Sequence, residues 1–145
     1  MAEHQDCALC QPSAHLILWQ DDFCRVVLLN DADYPAYCRV ELKTHTKEMT
    51  DLTPADRART MKVVFAAESA LREVIQPAKI NLASLGNKTP HIHWHIIPRF
   101  ETDKHFPNSH WGKATQVGKP PALSLILLSQ LKTKITAHIT CALAE

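Results

Sequence analysis

The chain has 145 residues, 46% of them apolar, enough to fill one hydrophobic core in a single domain spanning residues 1–145. Its net charge is +1 with neutral histidines, and acidic and basic residues are mixed along its length. That mixture excludes a basic arm for nucleic acid and a solvated acidic tail, so an anionic ligand must be held by a local site. Residues 1–11 lack the basic start and apolar run of a secretory signal, and the longest apolar stretches, 24–29 and 125–128, are too short to span a bilayer. Five cysteines at irregular spacing argue against a disulfide framework and for a reducing cytoplasm.

Residues 15–19, 23–29 and 37–42 read as three short strands, separated by Asp21-Asp22 and by the turn-prone stretch from Asn30 to Pro35. A helix follows. Thr53 can cap it, Pro54 suits its first position, and Asp56 sits three residues past the cap. Met61, Val64, Phe65, Leu71, Val74 and Ile75 then recur at three- and four-residue spacing, and Pro77 stops the helix. Residues 79–85 and 91–97 read as two further strands, joined by the loop Gly86-Asn87-Lys88-Thr89-Pro90. The stretch 101–121 holds two glycines and three prolines and reads as irregular, and residues 123–143 form a second helix. Five strands and two helices, with short connections, predict an α+β domain built on an antiparallel sheet.

The strongest chemical signal is His91-Ile92-His93-Trp94-His95-Ile96-Ile97-Pro98-Arg99. Successive side chains of a strand point to opposite faces, so three histidines share one face while Ile92, Trp94 and Ile96 share the other. Three imidazoles on one surface can complete a catalytic zinc site, or can supply a nucleophile with flanking hydrogen-bond donors. A neutral imidazole is a good nucleophile near pH 7, and its neighbours can stabilise developing phosphate charge. Gly86-Asn87 lets the backbone come close and offers amide donors, and no acidic residue on the strand serves as base to a metal-bound water. The phosphate reading is favoured over the metal-dependent hydrolase.

This motif resembles the signature of the histidine-triad (HIT) superfamily, in which three histidines alternate with apolar residues. Asn81-Leu-Ala-Ser-Leu-Gly86-Asn87 resembles that superfamily's Asn/Gln-bearing strand and Gly-Gln loop. Leu42-Lys43-Thr44-His45 and Asp51-Leu52-Thr53-Pro54 resemble the strand end and helix start of bacterial members. The resemblance covers residues 7–111 and is nearest to the branch related to dinucleoside polyphosphate (diadenosine tetraphosphate-type) hydrolases. The C-terminal helix, residues 122–143, carries no such signature.

The resemblance implies a cytoplasmic homodimer of five-stranded antiparallel sheets that binds a nucleotide or dinucleotide and neither nucleic acid nor membrane. His93 would form a nucleotidyl-imidazole intermediate at the α-phosphate, with His91 and His95 positioning it and contacting phosphate oxygens. Asn87 stands where relatives hold the α-phosphate, Asn81 stands for their upstream Asn/Gln as a further nucleotide-binding residue, and Asn30, or else Asp31, stands where they hold the ribose. Two positions depart from the pattern. Lys88-Thr89 replaces a frequent Ser/Thr-Val, and Ala36-Tyr37 replaces a frequent Gly-His, so the leaving-group side and the pocket rim differ. The Lys88 ammonium favours a charged polyphosphate leaving group, hence dinucleoside polyphosphates or nucleotide anhydrides. A phosphoramidase and a non-catalytic nucleotide-binding regulator are the alternatives.

Cys7-Ala8-Leu9-Cys10 is a Cys-x-x-Cys pair able to grip one zinc ion. By the same resemblance, His45 and His91 stand where zinc-carrying bacterial relatives complete a Cys₂His₂ set. One structural zinc per chain is therefore expected, against the alternative of two free thiols, and no cofactor is required for the chemistry. Cys24, Cys38 and Cys141 lie in apolar contexts and read as core residues.

Overall fold

The computed structural model describes residues 4–145. Strands β1 (Leu16–Gln20), β2 (Cys24–Leu28), β3 (Cys38–Leu42), β4 (Lys79–Ala83) and β5 (His93–Arg99) form one sheet in the order β1-β2-β3-β5-β4, with every neighbouring pair antiparallel. Helix α1 (Pro54–Ile75) joins β3 to β4, and helix α2 (Leu125–Leu143) closes the chain. The α+β architecture expected from the hydrophobic patterning is the one observed.

Alternation along the strands sorts the sheet into two faces. Leu18, Cys24, Val26, Cys38, Val40, Leu42, Ile80 and Ile96 form the apolar face, and Val63, Val64, Ala67, Ala70 and Leu71 of α1 and Leu131, Ile135 and Ile139 of α2 join it in one core. The opposite face carries Arg39 and Glu41 of β3 directly across from His95 and His93 of β5. One strand pattern thus builds the core and sets aside a polar surface.

The ends of α1 follow its sequence. The Thr53 side chain accepts a hydrogen bond from the Asp56 amide, Pro54 opens the first turn, and Gln76 takes a left-handed conformation (φ 53°) before Pro77. The apolar face of α1 differs from expectation in one place. Phe65 is 53% exposed, because the buried stripe runs through Thr60, Val63, Val64, Ala67, Ala70 and Leu71, and Phe65 lies about 100° past Val64. Alanines 66, 67 and 70 fill the contact with close-approaching backbone, which a search for large apolar residues overlooks.

Strand β5 begins at His93, two residues later than the motif implies. The amides of His91 and Ile92 are taken by the carbonyls of Thr89 and Thr46, each at 2.8 Å, and so leave the ladder. Helix α2 begins at Leu125, where the Ser124 side chain accepts from the Leu127 amide. Among the described residues no helix is long and apolar enough to cross a membrane.

Helix α2 packs on α1 and the sheet to close the core, and Ile135 is fully buried there. Ile135→Ala should lower the unfolding free energy in urea by about 2–4 kcal/mol through lost burial and the cavity left behind. Ile126→Ala, at a position 71% exposed on the same helix, should change it by less than about 0.5 kcal/mol.

Candidate active site and metal centre

The polar face of the sheet is held by ion pairs. Glu41 is buried and receives the Nε of Arg25 at 2.7 Å on one carboxylate oxygen and the Arg39 guanidinium on the other. Arg25 also donates to the carbonyls of Gln11 (3.0 Å) and Leu9 (3.4 Å), which docks the N-terminal segment over this face. That segment makes a tight 3₁₀ turn at Ala8–Cys10, so Cys7 and Cys10 stand side by side.

These thiols meet His91 and His45. The Sγ atoms of Cys7 and Cys10 lie 3.4 and 3.5 Å from His91 Nδ1, Cys10 Sγ lies 3.3 Å from His45 Nδ1, and the two Nδ1 atoms are 3.2 Å apart. The four donor atoms all fall within 4.8 Å of one another. Bonds of about 2.0–2.3 Å to a tetrahedral zinc give ligand separations of roughly 3.3–3.8 Å, the spacing seen between most of these atoms. The protonation pattern agrees. His91 Nε2 lies 2.6 Å from the Leu42 carbonyl, which can only accept, so the ring carries its proton on Nε2 and turns a bare Nδ1 lone pair to the thiols. Burial holds the His91 imidazole below the usual histidine range, which keeps that lone pair free. The cluster can hold a metal ion.

His93 is set by the same logic with the opposite nitrogen. Its Nδ1 lies 2.7 Å from the His91 carbonyl and must donate to it, so the neutral ring carries its lone pair on Nε2. The ring stands at 4.9 Å, edge-on, from that of His95. His93 and His95 line a cleft of about 400 Å³ with Leu85, Gly86, Asn87, Lys88, Thr89 and Trp111. Gly86 has φ +76°, the left-handed region, and turns the loop so that Asn87 and Lys88 reach the cleft. Burial, with smaller contributions from His93, Arg39 and His110, pushes the His95 pKa down to about 4.

The expected site residues divide into three groups. His93, His95, Asn87 and Lys88 converge on one cleft. His91, Cys7, Cys10 and His45 converge on a second cluster that could hold a metal ion. Asn81 lies one register away on β4, where its Oδ1 accepts from Arg99 Nη1 at 2.8 Å, and Asn30 is exposed outside the cleft lining. Asp31 lies near His110, with 3.5 Å between Oδ2 and Nε2. Trp111 and Leu85, which sequence reasoning did not single out, supply the apolar wall. Trp111 comes from the irregular stretch, and its aromatic ring was the one visible signal.

That stretch is organised around a single buried carboxylate. Asp103 receives Nε and Nη2 of Arg99 at 2.8 and 3.0 Å, the amides of Phe100, His105 and Phe106, and the Tyr34 hydroxyl at 3.3 Å. Burial would raise its pKa, but the Arg99 guanidinium and the amides hold it at about 2.

Fold and cleft together define a histidine-triad protein. The HIT domain family matches residues 12–102, and the chain belongs to that family. A histidine triad protein from Bradyrhizobium japonicum is 26% identical, with a TM-score of 0.69 over 86% of this chain and 90% of that one. A histidine triad (HIT) protein from Sinorhizobium meliloti is 25% identical, with a TM-score of 0.67 over 86% and 89%. A zinc-bound histidine triad family protein from Mycobacterium smegmatis shares the fold at 20% identity, with a TM-score of 0.63 over 94% and 97%. No curated protein matches the chain.

Keeping His95 and His110 neutral when buried makes stability depend on pH. The folded pKa of each lies below its unfolded value, so below about pH 6.5 the unfolded chain binds protons that the folded one refuses. The unfolding free energy should therefore fall as pH drops from 7 towards 4. The His95 contribution at pH 5 is about 2 kcal/mol, and His95→Gln should flatten the slope measured by urea titration. Asp103 acts lower, because its stabilisation persists above about pH 4 and is lost only as pH falls towards 2.

Proposed function

We propose that the protein is a nucleotide hydrolase or nucleotidyl transferase that works through a covalent nucleotidyl-histidine on His93. The observation that carries this reading is the 2.7 Å hydrogen bond from His93 Nδ1 to the His91 carbonyl, with the ring lining an open cleft. Nε2 attacks the α-phosphorus as its P–O bond to the leaving group breaks, and the leaving group departs with that electron pair. The imidazole then carries positive charge between its Nε2–P bond and Nδ1–H, and the carbonyl stabilises that charge. Water next attacks the phosphorus, the P–N bond breaks, and the nucleoside monophosphate leaves with neutral His93 restored; transfer to another acceptor uses the same intermediate.

Asn87 and the backbone around Gly86 hold the phosphate, and Lys88 on the cleft rim meets the leaving group. Its ammonium favours dinucleoside polyphosphates and related anhydrides over amine leaving groups. Asn81, whose Oδ1 accepts from Arg99, keeps its amide NH₂ to donate to the nucleotide, and Asn30 or Asp31 serves the ribose. We assign the metal cluster to one structural zinc per chain, held by Cys7, Cys10, His45 and His91. Bound there, the ion ties the N-terminal segment to the residue whose carbonyl orients His93. The protein works as a homodimer, for which the unpaired outer edge of β4 offers a surface, and free cysteines suit a reducing cytoplasm.

Incubation with diadenosine tetraphosphate or an adenylyl phosphoramidate, followed by mass spectrometry, should reveal an adenylyl adduct on His93. His93→Ala should abolish turnover, a barrier increase of about 4–8 kcal/mol, while nucleotide binding survives. Near wild-type turnover in that variant would rule out covalent catalysis. Binding without any adduct or turnover in the wild type would make the protein a nucleotide-binding regulator.

Protein purified without chelator should carry about one zinc per chain by elemental analysis. Cys7→Ser/Cys10→Ser should remove it and lower the thermal midpoint by several degrees, with diminished but measurable catalysis. Metal-free protein of undiminished stability would refute the zinc assignment and leave the nucleotide reading standing.

A further inference from the structure

His95 lines the cleft beside His93, yet no backbone carbonyl sits behind its Nδ1. The Tyr37 hydroxyl does, at 2.5 Å. Tyr37 is 3% exposed and packs with Tyr34 and Ile97, with Leu29 against them. Its backbone is fixed at both ends, by its amide to the Tyr34 carbonyl (3.1 Å) and by the Leu29 amide to its own carbonyl (2.9 Å). Its ring meets that of His95 edge-on at 5.7 Å. Among the described residues the hydroxyl has no other hydrogen-bond partner.

We propose that Tyr37 is a positioning residue that locks His95 in the tautomer carrying its proton on Nε2, so that His95 presents a hydrogen-bond donor to the phosphate in the cleft. The proposal deepens the nucleotidyl-histidine reading and rests on it for the identity of that phosphate. A phenol proton with one lone pair in reach goes to that lone pair. Were Nδ1 the donor, the hydroxyl proton would be left buried without an acceptor, which is unfavourable. Burial keeps the Tyr37 phenol protonated and His95 neutral, so the arrangement holds across the physiological range. The two cleft histidines then hold opposite tautomers. His93, backed by a carbonyl, offers a lone pair; His95, backed by a hydroxyl, offers a proton. Attack at phosphorus needs one of each, a nucleophile and a donor to the oxygen on which charge grows. It also gives the departure at position 37 a role, since the residue there selects what His95 shows the substrate.

Long-range ¹H–¹⁵N spectra of labelled protein at pH 7.5 read the tautomer directly and need no substrate. Wild type should show His95 protonated at Nε2 and bare at Nδ1, and Tyr37→Phe, which preserves shape, should show the two tautomers mixed. With diadenosine tetraphosphate, Tyr37→Phe should lower kcat on the order of a hundredfold and change KM by less than about threefold. A wild-type His95 protonated at Nδ1 overturns the proposal, even if the variant folds poorly, as does a variant with an unchanged spectrum and kcat. Failure of the nucleotide reading is separable, because it would appear as no adduct on His93 in a wild type that still shows the Nε2–H tautomer at His95.

Discussion

A carbonyl oxygen accepts hydrogen bonds and never donates them, and the chemistry of this molecule rests on two such oxygens. The His91 carbonyl fixes the proton of His93 on Nδ1, and the Leu42 carbonyl fixes that of His91 on Nε2. From these contacts come a lone pair facing the cleft and another facing the thiols. The Leu42 carbonyl ends β3 and the His91 carbonyl lies two residues before β5, so protonation in the site is set by backbone position rather than by side-chain choice. Shift the β3–β5 register by one residue and the histidines would turn into the helix-covered core.

The two centres are linked through one residue. His91 gives its ring to the cysteine cluster and its carbonyl to His93, so whatever steadies the cluster also steadies the acceptor behind the His93 imidazole. Arg25 reinforces this from the other direction by holding the carbonyls of Leu9 and Gln11 while its guanidinium pairs with Glu41. A buried charged pair contributes little net stability by itself, but losing one partner leaves the other stranded. Here the pairing keeps the Cys-x-x-Cys turn against the strand that bears the triad.

Much of this was legible in the chain because period-two alternation and proline punctuation are local signals. Strands β2 to β4 lie within the stretches marked from the sequence, β1 runs one residue past its stretch, and Thr53, Pro54 and Pro77 bound α1 as their chemistry dictates. Local signals fail where partners are distant. Phe65 was misplaced because alanines, which carry little hydrophobic weight, form the close contact. Tyr37 and His95 are 58 residues apart, and no pattern in either neighbourhood announces their hydrogen bond. The hydrogen bond from Arg99 to the Asn81 oxygen was not legible either, because it spans 18 residues and joins two strands. The Cys/His cluster was the exception. Its members are scattered over 84 residues, and it was named through resemblance to relatives rather than through spacing.

The Asp103 carboxylate gathers Arg99 from the end of β5, Tyr34 from the β2–β3 connection and three amides from a stretch without regular secondary structure, and Gln116 ties the far end back to the carbonyls of Glu101 and Asp103. A loop pinned at one hub does not fray from its tip as an ordinary loop does. It opens all at once or not at all. Amide hydrogens of Phe100, His105 and Phe106 would thus exchange with solvent at a common rate, in a sub-global opening distinct from melting of the sheet. Because Trp111 rides on the same stretch, that opening would also remove one wall of the cleft, coupling the loop's lifetime to the shape offered to a ligand.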